Sequence, residues 1–187
     1  MKAPYLALLT AAVLAFAAPQ AAAQRFSLGT NGVDWFTLGT LNGELSLAVS
    51  QHYSVHVGTK LNPWTFNPGD QQKQFQIRQS SYWGGLRWWP WHVYSGWWTG
   101  GELRYSLYNA GGLSKRDTEE GDAYGVGAYG GYSIMLGQNW NLDLGFGLWG
   151  GYKKYVRYIC PICGARSGNG ETAFILPDAR VAFQWIF

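Results

Sequence analysis

The sequence predicts an all-β protein: an eight-stranded antiparallel transmembrane up-and-down β-barrel at residues 24–187, preceded by a cleaved signal peptide at 1–23. Three observations predict this fold: an apolar amino-terminal leader, strands in which apolar and polar residues alternate, and an aromatic last strand. The composition agrees, because 26 glycines and 17% aromatic residues beside only 13% charged residues depart from the globular average and favour strands. No linker or repeat divides the chain, which indicates one domain.

The leader has the three parts of a secretory signal. Lys2 gives a positive start, residues 5–18 are apolar, and a run of alanines ends at Ala23. The apolar run is shorter than the roughly 20 residues of a spanning helix, so we expect cleavage after Ala23. The two cysteines, Cys160 and Cys163, lie far from this point, so no lipid anchor is expected.

Period-two alternation marks the strands. Leu45 and Leu47 share one face, while Glu44 and Ser46 share the other. In an outer-membrane barrel the apolar face turns to lipid and the polar face fills the lumen. Because no segment after the leader predicts a spanning helix, a membrane protein of this sequence must be a closed barrel. The predicted strands are 26–37, 43–49, 53–62, 79–89, 96–108, 122–135, 139–156 and 173–187.

The connectors between these strands alternate in length. Short ones are predicted at 50–52, 90–94 and 136–138, and long ones at 63–78, 110–121 and 157–171. Short turns mark the periplasmic side, so the long loops are expected outside the cell. The connector at 38–42 is short although it belongs to the outer set.

The final residues place four apolar side chains on one strand face: Val181, Phe183, Trp185 and Phe187. This pattern resembles the terminal signal by which the barrel-assembly machinery recognises outer-membrane proteins. The alternative is the buried last strand of a secreted sandwich.

An eight-stranded barrel is just wide enough to be filled by side chains, so no diffusion pore is expected. Buried charges must be paired, and three acids with three bases predict a charge-compensated lumen network. Because such charges can also mark transport paths, a narrow solute channel is an alternative. The predicted members are Glu44, Arg87, Glu102, Arg104, Asp143 and Arg180.

Cys160 and Cys163 are close together in a predicted outer loop, and exported proteins meet an oxidising compartment, so a disulfide is expected. Half of a zinc site is the alternative; a closed site needs four ligands, which a second copy or a partner could complete. The histidines besides these cysteines, His52, His56 and His92, are predicted in the opposite half. No metal and no cofactor are therefore expected.

One arrangement could support catalysis. If the turn centres on Gln51, His56 lies opposite Ser46 and near Glu44, which is the set that a base-activated serine needs. A lipid A hydrolase is therefore an alternative function, although a polar core explains the same residues. The net charge of +3 is small and dispersed, so no nucleic-acid partner is expected.

Several segments together resemble a known family: Glu102-Leu-Arg-Tyr105 after a Trp-rich stretch, Asn139-Trp-Asn-Leu142, the Cys160–Gly164 loop and the closing strand. The chain resembles an uncharacterised family of small outer-membrane barrels of Bacteroidetes-type bacteria, whose genes often lie near those of fimbria-like surface proteins. The resemblance implies location and fold and no catalytic residues. We therefore expect a structural or surface-partner-binding barrel, with the outer loops as the binding surface, rather than an enzyme.

Overall fold

A computed structural model describes residues 25–70, 73–112, 117–160, 162 and 164–187. The predicted signal peptide lies outside these residues. The described chain is all-β, with one short helix and nine antiparallel strands. The elements are β1 (Phe26–Asn31), α1 (Gly32–Phe36), β2 (Leu41–Ala48), β3 (Tyr53–Asn62), β4 (Thr65–Phe66), β5 (Phe75–Trp88), β6 (Gly96–Gly111), β7 (Thr118–Met135), β8 (Trp140–Tyr158) and β9 (Arg166–Ile186).

The strands form one ring-like sheet. Neighbours in the sequence pair with each other except β3 and β4; β3 pairs with β5 instead, and β1 pairs with β9. The two-residue β4 pairs only with β5 among the described residues. The ring itself therefore has the predicted eight strands, and β4 is an addition to them that the sequence pattern did not indicate.

The ring is strongly staggered. A row of paired residues that starts at Leu28 in β1 reaches β9 at Ile175, whereas Leu28 itself pairs with Trp185, ten residues further along β9. A closed sheet with such a stagger has strands inclined by about 35–45° to its axis. Residues that pair directly across strands therefore lie at different heights on the ring.

The two faces of the ring are inverted relative to a soluble protein. The outer face carries apolar side chains with large exposed fractions, such as Leu103 at 69%, Val126 at 62% and Phe146 at 60%. The inner face buries polar groups such as Ser54 and Asp143, each with no exposed surface. The strand alternation predicted from the sequence therefore places polar side chains inside.

The ring wall has two heights. β1, β2 and β3 have 6, 8 and 10 residues and form the low wall, whereas the strands from β5 to β9 have 14 to 21 residues and form the high wall. The predicted strand 26–37 was therefore wrong at its carboxyl end, because β1 stops at Asn31. There the Asn31 side chain accepts a hydrogen bond from Val33 N–H and caps α1, as asparagine does at helix starts.

The predicted long loops were also too long. The first contains β4 and the start of β5, and the strands of the high wall continue to Gly111 and begin again at Thr118. β8 likewise continues to Tyr158, and β9 begins at Arg166. The polar residues at these strand ends pair with the neighbouring strands of the high wall. The period-two pattern of hydrophobic residues does not reveal this pairing.

A cluster of apolar side chains closes the interior at the end of the ring where β1 begins and β9 ends. The β5–β6 turn supplies Trp89, Val93 and Tyr94, and the strands supply Trp98 and Ile186. Trp89 and Tyr94 pack edge to face with their ring centroids 5.8 Å apart. The interior is therefore sealed at this end by side chains.

Candidate functional site

Glu44 is the centre of the charge network inside the ring. Its carboxylate accepts hydrogen bonds from Arg87 at 2.7 Å and from both Nη atoms of Arg180 at 2.7 and 2.9 Å. The indole N–H of Trp83 donates to the same carboxylate at 3.1 Å. Glu44, on β2 of the low wall, is thereby bonded to β5 and β9, the first and last strands of the high wall.

A second set of charges lies around Arg104. Its guanidinium contacts Glu102 and Asp178 at 2.7 Å each and donates to the hydroxyl of Tyr129 at 3.0 Å. The imidazole of His56 lies 3.5 Å from Glu102. Because all these groups lie inside the ring, the acids and bases neutralise each other away from bulk water.

Asp143 has no exposed surface and links the Glu44 set to β9. Its Oδ2 accepts a hydrogen bond from Gln184 at 2.6 Å and lies 3.9 Å from Arg87 Nη1 and from Arg180 Nε. Those two donors and Asp143 Oδ1 have no hydrogen-bond partner among the described residues. A small cavity of about 40 Å³ in the interior includes Arg87 and Arg180 in its lining, which is room for a few ordered waters.

The structure brings all six predicted lumen residues to the ring interior. Glu44, Arg87, Asp143 and Arg180 form one set, whereas Glu102 and Arg104 form the other. Sequence reasoning missed Asp178 and His56 as members of the second set. The signal for Asp178 was its spacing of two from Arg180, which puts both on one strand face.

The three groups of the hydrolase hypothesis do not form a hydrogen-bonded triad. His56 is opposite Ser46 in the β2–β3 register, as the turn predicted. However, Ser46 accepts a hydrogen bond from Tyr94, His56 faces Glu102, and Glu44 is bound by arginines. Ser46 and His56 are only 1% and 4% exposed, so packing separates them from any substrate that approaches from outside.

A third charged set lies on the inner face near the open end of the high wall. Glu119 is hydrogen-bonded to Lys153, to Arg157 at 3.0 Å and to the Tyr108 hydroxyl at 2.8 Å. Partial burial works to raise the pKa of Glu119, but these hydrogen bonds outweigh burial and hold the pKa below its usual value. The Glu119 carboxylate is therefore ionised at neutral pH.

Aromatic side chains surround the closed end of the ring on the outer face. Trp140 and Trp185 stack with centroids 6.5 Å apart, and Phe187 stacks on Phe26 at 5.9 Å. Trp97 continues this girdle, with 58% of its surface exposed. Trp185 and Phe187, two members of the predicted terminal signal, thus belong to the girdle.

A second aromatic row crosses the outer face of the high wall. Tyr82, Tyr105, Tyr124 and Tyr152 pair directly from strand to strand along β5, β6, β7 and β8. Each is 42–55% exposed. The exposed apolar side chains of the high wall, including Leu103 and Phe146, lie between this row and the girdle at the closed end.

The top of the low wall ends in an exposed apolar segment. In α1, Trp35 is 49% and Phe36 is 93% exposed, and nearby Leu41, Leu61 and Trp64 are 45–56% exposed. Trp64 donates to the carbonyl of Gly39 at 3.0 Å, which holds the α1–β2 turn against the β3–β4 turn. Above the strands of the low wall there are exposed aromatic side chains, whereas the strands of the high wall continue past this height.

One edge of β9 is unpaired above the low wall. β1 pairs with β9 only as far as Ala182, and the Asn31 side chain then accepts from Val181 N–H at 3.0 Å and donates to Ala179 O at 3.3 Å. On the other side β8 pairs with β9 up to Arg166. Within the described residues, the edge from Pro177 to Asn169 therefore has no neighbouring strand.

One member of the predicted cysteine pair lies among the described residues. Cys160 has a bonding partner, but Cys163 lies outside the described residues, so the disulfide remains a prediction. Among the described residues no group of three or more His, Cys, Asp or Glu side chains could hold a metal ion. In the same part of the chain, no helix is long and apolar enough to cross a bilayer.

The ring and its buried network define the class of protein: a small barrel-like all-β domain with a polar, side-chain-filled interior. The chain belongs to the family described as protein of unknown function (DUF3575), whose model matches residues 7–187. A search of curated proteins finds no match. The match therefore covers nearly the whole chain and assigns no activity to any residue.

Proposed function

We propose that the protein is an integral outer-membrane barrel with a filled lumen that binds a surface partner through its outer rim. The observation that carries the location is the inverted arrangement of the ring, with apolar side chains outside and paired charges inside. Monomeric soluble proteins rarely expose contiguous apolar patches of more than a few hundred Å². Lipid is the solvent that suits this outer face.

The height of the outer apolar band supports this location. Outer-membrane barrels have an apolar band about 25 Å tall between aromatic girdles. The tyrosine row is inclined because its members pair directly, so the height is taken on one strand. In β8 the segment from Trp140 to Tyr152 lies between the girdle at the closed end and this row. Such a strand segment, inclined by about 35–45°, crosses a band of about that height. The predicted secretory leader and the predicted assembly signal in β9 agree with this proposed location.

Cell fractionation tests the location. We expect the protein in the outer-membrane fraction, with gel migration that changes after boiling, as a detergent-resistant barrel shows. Recovery as a soluble periplasmic protein would overturn the proposal.

The filled lumen argues for a binding or structural role over transport. The apolar cluster around Trp89 seals one end, and the Glu44 and Arg104 sets occupy the middle. We expect purified protein in planar bilayers to give no single-channel conductance. Steady conductance steps would instead favour the narrow-channel alternative.

The high wall provides the binding surface in this proposal. Its strands continue past the tyrosine row and carry charged residues such as Glu120, Lys154 and Glu171 on the outer face. We expect the partner among surface proteins, including fimbria-like assemblies, as the family resemblance implies. Crosslinking in native membranes followed by gentle extraction should recover a complex, and recovery of the barrel alone would contradict a partner-binding role.

We also propose that the protein is not an enzyme. Ser46 is buried and accepts a hydrogen bond from Tyr94, and Glu44 is neutralised by two arginines, so the Ser46 hydroxyl is neither activated by this set nor turned to lipid. Cells that carry Ser46→Ala should have the same lipid A mass spectrum as wild-type cells. A change in acylation specific to Ser46→Ala would restore the hydrolase hypothesis.

A further inference from the structure

The unpaired edge of β9 carries an inference that rests on the proposed partner-binding function. We propose that residues 169–177 accept an extended segment of a partner protein as an added antiparallel strand. The added strand would continue the line of β1, which stops at Asn31. Addition to a free sheet edge is a common form of peptide recognition, in which backbone hydrogen bonds supply affinity and neighbouring side chains supply specificity.

The direction of the backbone groups can be read from the existing pairs. Along β9 the odd-numbered residues point their N–H and C=O groups to the β1 side, as Phe187 does toward Phe26 and Val181 does toward Asn31. The alternation continues upward, because the β8–β9 register shifts only near Arg157 and Tyr158. The N–H groups of Ile175, Ala173 and Glu171 therefore face the open side.

Pro177 sets the lower limit of this edge. It occupies an odd-numbered position, where an N–H group would point to the open side, and proline has none. Below it, the Asn31 side chain already bonds Ala179 and Val181. The groups nearest α1 are thus removed or satisfied. Among the described residues the N–H groups of Ile175, Ala173 and Glu171 remain available, whereas the carbonyl of Ala173 accepts a hydrogen bond from the Thr172 hydroxyl at 3.3 Å.

The side chains along the edge indicate what the partner segment contains. Ile175 is 74% exposed on the outer face, and Leu176 is 48% exposed on the inner face beside the Trp149–Phe174 pair. Further up, the carboxylate of Glu171 is about half exposed and lies 3.9 Å from Lys154. A matching strand has apolar residues beside Ile175 and Leu176 and a basic residue beside Glu171.

A second copy of this chain does not fit the edge. In one membrane, the β9 strands of two copies both run from the outside toward the bilayer, so they cannot pair as antiparallel neighbours. The described part of this chain supplies no strand for the edge, because β1 begins at Phe26 beside Phe187, at the opposite end of the ring, and stops at Asn31. The occupant is therefore a segment of a different protein.

A synthetic strand tests this proposal on the full-length protein in nanodiscs. The probe is a short fluorescent peptide of alternating valine and threonine with one lysine near its carboxyl end. We expect saturable binding, and about a tenfold or larger loss when the peptide amides that face β9 are N-methylated, since several backbone hydrogen bonds are lost. Methylation of the amides on the other side should change binding less than threefold.

Two variants of the protein provide the matched comparison. Ala173→Pro removes one edge-facing N–H and should weaken binding about tenfold, whereas Ala173→Val keeps that N–H and should bind like wild type. Gel migration before and after boiling reports whether each variant is folded. If Ala173→Pro is misfolded, the methylated peptides on wild-type protein still decide the question.

Lack of saturable binding, or equal binding of the methylated and parent peptides, would overturn the edge proposal. Neither result would affect the outer-membrane location, which fractionation tests separately. Loss of the membrane location with retained, methylation-sensitive binding would instead overturn the proposed function and leave the edge proposal standing.

Discussion

The low wall and the high wall belong to one ring, yet they end in different ways. The strands of the low wall stop after 6 to 10 residues, and the Asn31 and Asn42 side chains bond the last backbone groups. The strands of the high wall continue for up to 21 residues. The difference teaches that side-chain amides, rather than hydrophobicity, decide where the sheet stops on the low side.

The surfaces of the two walls differ accordingly. Above the low wall, α1 exposes Trp35 and Phe36, side chains that suit the boundary between lipid and water. At the corresponding end of the high wall, Glu119, Lys153 and Arg157 form ion pairs on the inner face. In the proposed membrane location, the low wall is thus suited to end at the boundary, whereas the high wall, whose outer face carries Glu120, Lys154 and Glu171, is suited to continue into water.

The largest expected effect comes from Glu44, the residue that joins the two walls. Glu44→Ala leaves Arg87 and Arg180 buried without their carboxylate, so we expect a loss of about 3–5 kcal/mol in the free energy of unfolding. Urea titration in detergent micelles, followed by tryptophan fluorescence, measures it.

The control is Glu171→Ala on the high wall, where the carboxylate is half exposed. This variant should stay within about 0.5 kcal/mol of wild type. A loss below about 1 kcal/mol for Glu44→Ala would mean that the network does not hold the walls together.

An intermediate effect is expected at Asn31, where the low wall ends. Asn31→Ala removes the α1 cap and leaves Val181 N–H and Ala179 O without this partner. We expect a loss of about 1–2 kcal/mol. In hydrogen exchange, the Val181 amide should lose protection while amides of the high wall keep theirs. Asn169→Ala, a matched substitution at an exposed position of β9, should leave both measurements unchanged.

The smallest expected effect is a loss of stability at acid pH, and it comes from Glu119 on the high wall. Because the pKa of Glu119 is lower in the folded chain than in the unfolded chain, its ion pairs stabilise the fold above the unfolded pKa of about 4.3. This contribution is lost as the pH falls through the lower, folded pKa. For a partly exposed group we expect only about 0.5 kcal/mol.

The comparison that isolates this contribution is wild type against Glu119→Gln, each unfolded at neutral pH and at about pH 3. The stability difference between them should shrink on acidification. A difference that stays constant with pH would assign the role of Glu119 to packing.

The sequence was informative wherever local alternation decides the outcome. Leu45 and Glu44 were assigned to opposite faces, and the register of Ser46 with His56 followed from a short turn. It was less informative where an end depends on a distant partner. Asn31 stops β1 because it bonds β9, 150 positions away at Val181, and no local pattern carries that information.

The candidate site was likewise predicted where local alternation decides and missed where distant partners decide. The six inward charges could be chosen from strand parity, but their partners could not, because pairing across the interior depends on the stagger of the ring. His56 was assigned to Ser46 and Glu44, whereas it faces Glu102 on β6. Parity determines which side of the sheet a residue occupies, and the closed topology determines what it meets there.

The Glu44 cluster also constrains the order of folding. Glu44 and Arg180 are separated by 136 residues, and they meet only when the first strands reach the last one. In the proposed outer-membrane location, Arg180 would until then enter the bilayer without this carboxylate, and such a medium strongly disfavours an unpaired charge. Closure of the sheet and completion of the Glu44 cluster are thus one event, and for a barrel in the proposed location this makes partly inserted intermediates costly and favours all-or-none assembly.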